Sequence, residues 1–220
     1  MPTDRMTEQS GEMQTAFGFA YRRAGPADAE RALVVLHGSG ADEGQVLPLA
    51  ARIDPAAAIV AVRGRIDQNG ERRWFRKYTP TTFDQRSIRA EARAFAAFVD
   101  GLGRADALNL GRTVFVGYSN GGNLLHSTML LHPGRITRAI LMRCMPVLRR
   151  PPKADLAGCR VLLVGGESDL TYGAYSPQLA DLLRGAGATV EPSTVACGHE
   201  IGDRDVALAR RWLAGQAAIG

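Results

Sequence analysis

A serine stands at the centre of Gly117-Tyr118-Ser119-Asn120-Gly121, directly after the apolar run Thr113-Val114-Phe115-Val116 and before a segment of helical character. A serine on so tight a strand-to-helix turn has its backbone forced into a sterically poor conformation, so the residues two before and two after it must be small. Gly117 and Gly121 meet that need. Such a turn holds the Ser119 hydroxyl clear of a sheet edge, and the helix that follows aims unpaired N–H groups and the positive end of its dipole at charge developing there. That arrangement suits attack on a carbonyl.

A serine nucleophile needs a base to take its proton and a carboxylate to set the base's tautomer and stabilise the imidazolium. The chain supplies both, in the order serine, acid, histidine. Asp169 ends Gly165-Gly166-Glu167-Ser168-Asp169, just past the apolar run Val161-Leu162-Leu163-Val164. His199 lies in Cys197-Gly198-His199-Glu200, between the last strand-like run and the last helical segment. Both fall on loops expected at the same edge of a sheet as Ser119. Glu167 competes with Asp169, being equally placed on that loop. Of the other histidines, His37 reads as a structural hydrogen-bonder, His126 as a packed or exposed helix side chain, and His132 as a cation at a helix C-terminus. None of the four makes HExxH or another metal-ligand spacing, so no metal is expected.

The tetrahedral intermediate of acyl transfer also needs two N–H donors. The Asn120 amide, directly after the nucleophile, is one candidate. The loop His37-Gly38-Ser39-Gly40, after the apolar run Leu33-Val34-Val35-Leu36, offers the Ser39 amide as the other. Gly38-Ser39-Gly40 could also hint at a dinucleotide fingerprint, but the next glycine is Gly44, which breaks GxGxxG, and no cofactor is expected. Trp74 and Phe75 are candidates to line an acyl or aromatic pocket, or to anchor their loop to the core. Met145, Leu148, Tyr172 and Tyr175 lie on loops expected at the site's edge, so they are candidate substrate contacts.

These residues need a scaffold that gathers distant loops at one rim. Short apolar, β-branched runs alternate with longer helical segments, which predicts an α/β fold with a mostly parallel twisted sheet and helices on both faces. Strands are predicted at 17–22, 32–37, 58–63, 113–118, 139–143, 161–165 and 189–196. Helices are predicted at 45–53, 87–102, 121–131, 177–187 and 203–215, with Pro177 suited to a first turn and Gly187 to a helix end. Residues 64–83 fit no regular element and read as a long loop. There is no repeat and no insertion large enough to serve as a cap domain.

The 220 residues are 45% apolar, enough to bury one core, so residues 16–220 are expected to form a single domain. Residues 1–15, which carry Asp4, Arg5, Glu8 and Glu12 and no apolar core, read as a frayed, disordered tail, and as neither a signal peptide nor a membrane span. The net charge of +5 comes mostly from dispersed arginine without lysine-rich blocks, which argues against a nucleic-acid surface. Cys144, Cys159 and Cys197 form no CxxC pair and leave one thiol unmatched, as fits a reducing cytoplasm. Cys197 lies close to His199, where oxidation is conceivable, but the favoured reading is a buried, inert thiol.

Taken together, His37-Gly38-Ser39-Gly40, Gly117-Tyr118-Ser119-Asn120-Gly121-Gly122, Gly166-Glu167-Ser168-Asp169 and Gly198-His199 resemble the phospholipase/carboxylesterase branch of the α/β-hydrolases, which includes acyl-protein thioesterases and small bacterial carboxylesterases. Arg73-Trp74-Phe75 and the tail from Asp205 to Leu213 look most like the bacterial esterase subgroup linked to hydroquinone or catechol stress. The resemblance spans residues 33–213. It implies an α/β-hydrolase sheet of eight strands or slightly fewer and cofactor-free hydrolysis of carboxylic esters or thioesters through an acyl-enzyme. Asn120 stands where the thioesterases usually carry glutamine, a departure that bears on substrate and not on chemistry. The partner implied is a small-molecule ester or thioester, with a homodimer compatible and no integral membrane association. Two other readings stay open: a non-hydrolytic ligand-binding protein or lyase on this fold, and a dienelactone-type hydrolase, which usually employs cysteine at the elbow.

Overall fold

In the computed structural model of the chain, residues 11–105 and 108–217 are described. In chain order the elements are β1 (Gln14–Ala16), β2 (Phe19–Ala24), β3 (Ala32–Leu36), α1 (Glu43–Ile53), β4 (Ala58–Val62), β5 (Ile66–Gln68), β6 (Glu71–Arg73), β7 (Lys77–Thr79), β8 (Thr82–Phe83), α2 (Gln85–Arg104), β9 (Thr113–Tyr118), α3 (Asn120–Leu131), β10 (Arg138–Met142), β11 (Arg160–Gly166), α4 (Ser176–Gly185), β12 (Thr189–Val195) and α5 (Asp203–Ala217). Eight strands form one sheet in the order β1-β2-β4-β3-β9-β10-β11-β12. The pairs β1–β2 and β2–β4 are antiparallel and the rest are parallel.

The central strands are apolar throughout because both faces are covered. Alternation divides their side chains between two cores. Val34 and Leu36 of β3 join α2, α3 and α4 in one cluster through residues such as Ile88, Phe95, Leu125 and Leu179. Leu33 and Val35 join α1 and α5 in the other, against Val46, Ala50, Ala209 and Trp212. This is the layered α/β architecture expected from the alternation of runs.

Two expectations need correction. The first concerns the tail predicted at 1–15: residues 1–10 lie outside the described residues, but Gln14–Ala16 is β1, because Gln14 and Thr15 pair with Tyr21 and Ala20 of β2 in the antiparallel ladder. The second concerns residues 64–83, which form two small hairpins, β5–β6 and β7–β8. The β5–β6 turn is Asn69-Gly70, with φ of 59° and 77°, the left-handed pair that a type I′ hairpin demands. Strands of two or three residues carry too few alternations to register as a period, so only the turn was visible in the sequence.

The helices α1 and α2, whose starts a cap fixes, each begin two residues earlier than predicted. Asp42 accepts from the amides of Gly44 and Gln45 at 2.9 and 3.1 Å, and Asp84 does the same for Arg86 and Ser87 at 2.9 and 3.1 Å. Gly187 follows the end of α4 with φ of 98°, as a C-terminal glycine should.

Inside the first turn of α1, Glu43 is 1% exposed and takes Arg63 through two bonds of 2.6 Å and Arg22 through one of 3.2 Å, tying α1 to β2 and to the end of β4. Burial alone would raise its pKa, but the bonds from Arg63 and Arg22 prevail and lower it from 4.5 to about 2. A depressed folded pKa contributes stability that is complete above the unfolded value and is lost as pH falls through the folded one. Glu43→Gln is therefore expected to destabilise the protein by about 3 kcal/mol at neutral pH. Urea denaturation of both proteins should show the gap narrowing as pH drops from 4.5 toward about 2; a gap independent of pH would contradict the assignment.

Candidate functional site

Ser119 links β9 to α3 with φ of 51° and ψ of −115°, a conformation costing about 1–3 kcal/mol in a residue with a side chain. Its neighbours hold it there. The Ser119 amide donates to the Met142 carbonyl at the end of β10 at 2.8 Å, and its carbonyl accepts from the Asn123 amide at 2.8 Å. A Cβ on Gly117 would lie 2.5 Å from the Gly122 Cα, and one on Gly121 would lie 2.6 Å from the Leu36 and His37 carbonyl oxygens. The elbow can pack against β3 and α3 only because both positions lack a side chain.

Asp169 lies on the loop after β11 and His199 on the loop after β12. His199 Nε2 is 2.9 Å from Ser119 Oγ, and His199 Nδ1 is 2.9 Å from Asp169 Oδ2. The other Asp169 oxygen accepts from the amides of Thr171 and Tyr172 at 2.8 and 3.0 Å. Burial pushes the Asp169 carboxyl up, but the His199 bond and these two amides outweigh it and hold the pKa below the ordinary aspartate value. An ionised carboxylate only accepts, so His199 carries its proton on Nδ1 and leaves Nε2 free to accept from the serine hydroxyl. Glu167, the rival acid, turns an exposed side chain to solvent, and the structure gives it no bond to His199 among the described residues.

Two aromatic rings flank the imidazole. Tyr172 stands edge-on at 5.2 Å and Tyr118 lies tilted at 5.5 Å, its hydroxyl donating to the His199 carbonyl at 3.0 Å. The tyrosine before the serine thus reaches the histidine loop.

The loop after β3 is clamped from the other side. His37 is fully buried; its Nε2 accepts from the Gly64 amide at 2.9 Å and its Nδ1 donates to the Gly38 carbonyl at 2.7 Å. Burial lowers its pKa despite that carbonyl, in keeping with the neutral ring the two bonds require. Trp74 Nε1 donates to the His37 carbonyl at 2.8 Å, the Trp74 amide donates to Asn120 Oδ1 at 2.8 Å, and the Gly40 amide donates to the Arg72 carbonyl at 2.9 Å. The β5–β6 hairpin and its exit therefore fix both the Gly38–Gly40 turn and the Asn120 side chain. The amides of Ser39 and Asn120 make no bond within the protein among the described residues.

Of the candidate substrate contacts, Tyr172 is the one seated against His199. Trp74 and Phe75 are both 0% exposed and belong to the core, with Trp74 at 5.1 Å from the His37 ring, so they buttress the site and do not line an open pocket. That both adjacent rings pack into the same core cluster could not be inferred from their types alone. Met145 is buried, with its amide on Asn123 Oδ1 at 3.0 Å and its carbonyl on His126 Nε2 at 2.9 Å. Leu148 is also buried, and Tyr175 is half-buried against the core. His126 is buried, which pushes its pKa down to about 4. Partial burial and the nearby Arg135 and Arg93 lower that of His132, so it is a weaker helix-end cation than expected. Cys144 and Cys159 are buried thiols, and Cys197 is partly exposed.

One residue was missed altogether. Arg143, directly after β10 with φ of 54°, is fully buried and forms a bidentate pair with Asp205 of α5 at 2.8 and 3.0 Å. The same guanidinium donates to the Gly198 carbonyl at 3.0 Å and the Glu200 carbonyl at 2.9 Å, on either side of His199, and approaches Cys197 Sγ at 2.9 Å. An arginine in Met142-Arg143-Cys144 within an otherwise apolar stretch was the available signal.

Among the described residues no group of acidic, histidine or cysteine side chains could hold a metal ion, and no helix is long and apolar enough to cross a membrane. No family model matches the chain. MhqD of Bacillus subtilis (strain 168), whose name assigns it to the hydrolases, is 31% identical over 185 residues, covering 84% of this chain and 92% of that one. A carboxylesterase from Mesorhizobium loti superposes with a TM-score of 0.90 at 48% identity over 94% of this chain and 99% of its own, and the Bacillus cereus carboxylesterase with 0.83 at 29% over 90% and 94%. With the layered sheet, the serine elbow and these likenesses in hand, the chain belongs to the phospholipase/carboxylesterase family of α/β-hydrolases and is a hydrolase.

Proposed function

We propose that this protein cleaves carboxylic esters, thioesters among them, through a covalent acyl-enzyme on Ser119. The observation that carries the reading is the unbroken hydrogen-bond chain Asp169–His199–Ser119, with both links at 2.9 Å. Ser119 Oγ attacks the carbonyl carbon while His199 Nε2 takes its proton, and Asp169 stabilises the imidazolium that forms. The oxyanion rests between the amides of Asn120 and Ser39, each typically worth roughly 100- to 1,000-fold in turnover. His199 then returns the proton to the leaving alkoxide or thiolate, and water resolves the acyl-enzyme by the same relay. Cysteine, the usual nucleophile of dienelactone-type enzymes, is absent from the elbow.

Arg143 and Asp205 serve as positioning residues. They touch neither Ser119 Oγ nor the imidazole, but the buried pair anchors the carbonyls on both sides of His199 to the body of the sheet. The three unpaired thiols accord with a cytoplasmic enzyme, and the continuous sheet, with β1 at Gln14–Ala16 as its edge strand, accords with a single domain.

Ser119→Ala is expected to fold normally, to lose p-nitrophenyl acetate hydrolysis by several orders of magnitude, and to escape labelling by a fluorophosphonate probe. Wild-type-like activity in that variant would remove the claim, and failure of the wild type to label would favour a non-hydrolytic ligand-binding protein. In Asp205→Asn, loosening of the histidine loop should lower kcat roughly 10- to 100-fold with KM little changed, since small misplacements of a reacting group carry costs of that size. Thermal melting alongside the kinetics separates the roles: a lower Tm with full specific activity of the folded protein would make the pair structural only.

A further inference from the structure

Among the described residues, Arg73 is a buried cation whose hydrogen bonds the fold does not complete. Its side chain is 6% exposed, and its Nε and Nη1 atoms are buried with no hydrogen-bond partner among the described residues. Only Nη2 is engaged, by Glu71, two residues earlier on β6 and hence on the same face of that strand. A buried guanidinium with unmade bonds is costly, and native proteins retain such donors where something outside the chain completes them. Glu71, in contrast, is 54% exposed, so it is the half of the pair that can leave.

The position of Arg73 ties it to the serine. The carbonyl of Arg72 takes the Gly40 amide, and the amide of Trp74 goes to the Asn120 side chain, so the backbone on either side of Arg73 is fastened to the two segments that flank Ser119. A Cβ on Gly40 would lie 4.0 Å from the Glu71 carboxyl carbon, which sets the ion pair against the Gly38–Gly40 turn. The charge on Arg73 also reaches the Tyr172 hydroxyl, beside Ser119, opposing the burial that pushes that phenol up to about 12. Lys77 of β7 feels the same charge, which adds to burial in lowering its pKa.

We infer that Arg73 recognises a carboxylate carried by the substrate, with Glu71 as the internal stand-in that the substrate's carboxylate displaces or joins. Arginine suits the task because its planar fork matches a carboxylate and it is always charged. The inference rests on the reading of Ser119 as an esterase nucleophile and narrows its substrates to esters that bear a free carboxylate.

The test compares 4-nitrophenyl hydrogen adipate with 4-nitrophenyl hexanoate, esters of equal chain length that differ in one terminal carboxylate. The wild type should prefer the adipate ester by about 10-fold or more in kcat/KM, and Arg73→Gln should remove that preference mainly through KM. Taking the ratio within each protein cancels any loss of folded material. Glu71→Gln, at a half-exposed position, should lower KM for the adipate ester about threefold or more by vacating the fork. Equal turnover of the two esters by the wild type, or no change of the ratio in either variant, overturns the inference and leaves the orphan donors to water. Turnover of neither ester is failure of the esterase reading instead. In that case calorimetric titration of adipate into Ser119→Ala still decides: binding weakened about 10-fold by adding Arg73→Gln supports the anion site, and no binding refutes it.

Discussion

Everything at this site hangs on the backbone of one residue. Ser119 sits at φ 51°, a region an L-residue avoids, and the cost is offset by what surrounds it: the ladder partner Met142, the first turn of α3, and the closeness of β3, which leaves no room for a Cβ at Gly121. That strained turn does two jobs at once. It lifts the hydroxyl off the sheet edge toward His199, and it starts α3 at Asn120 with its first amide unpaired. A relaxed turn would lose both, because the same pair of dihedrals sets the direction of the side chain and the direction of the helix.

The loops that meet the serine are not free to choose their geometry either. On one side the imidazole loop is bolted to β10 and α5 through the buried Arg143–Asp205 pair, and a Tyr118 hydroxyl adds a further bond to the His199 carbonyl. On the other side the Gly38–Gly40 turn is gripped through the neutral His37 ring, the Trp74 indole and the β5–β6 hairpin. Both clamps use buried polar groups whose bonds are satisfied within the protein, and such groups lock one arrangement because any alternative leaves donors or acceptors unmade in a low dielectric. The two clamped loops hold His199 Nε2 at 2.9 Å from Ser119 Oγ.

Asn120 illustrates how one residue divides its work. Its backbone amide makes no bond within the protein among the described residues, while its side-chain carbonyl is committed to the Trp74 amide. That bond links the residue after the nucleophile to the Arg73-Trp74-Phe75 segment, whose guanidinium keeps two nitrogens without a partner among the described residues.

The amino-acid sequence by itself settled the alternation of strands and helices, the elbow, and the chain order of serine, acid and histidine, because periodicity, a five-residue steric constraint and short apolar flanks are local. It favoured Asp169 over Glu167 but held no contact to exclude the rival, since that depends on which side chain β11's exit loop turns inward, and it left residues 64–83 formless, since strands of two or three residues have no period to detect. Burial of Trp74 and Phe75, the grip of Arg143 on the histidine loop and the unpaired nitrogens of Arg73 were likewise decided only in three dimensions. Each depends on partners dozens of residues away, and the worth of a buried polar or aromatic group is set by who fills the space around it, which no local pattern encodes.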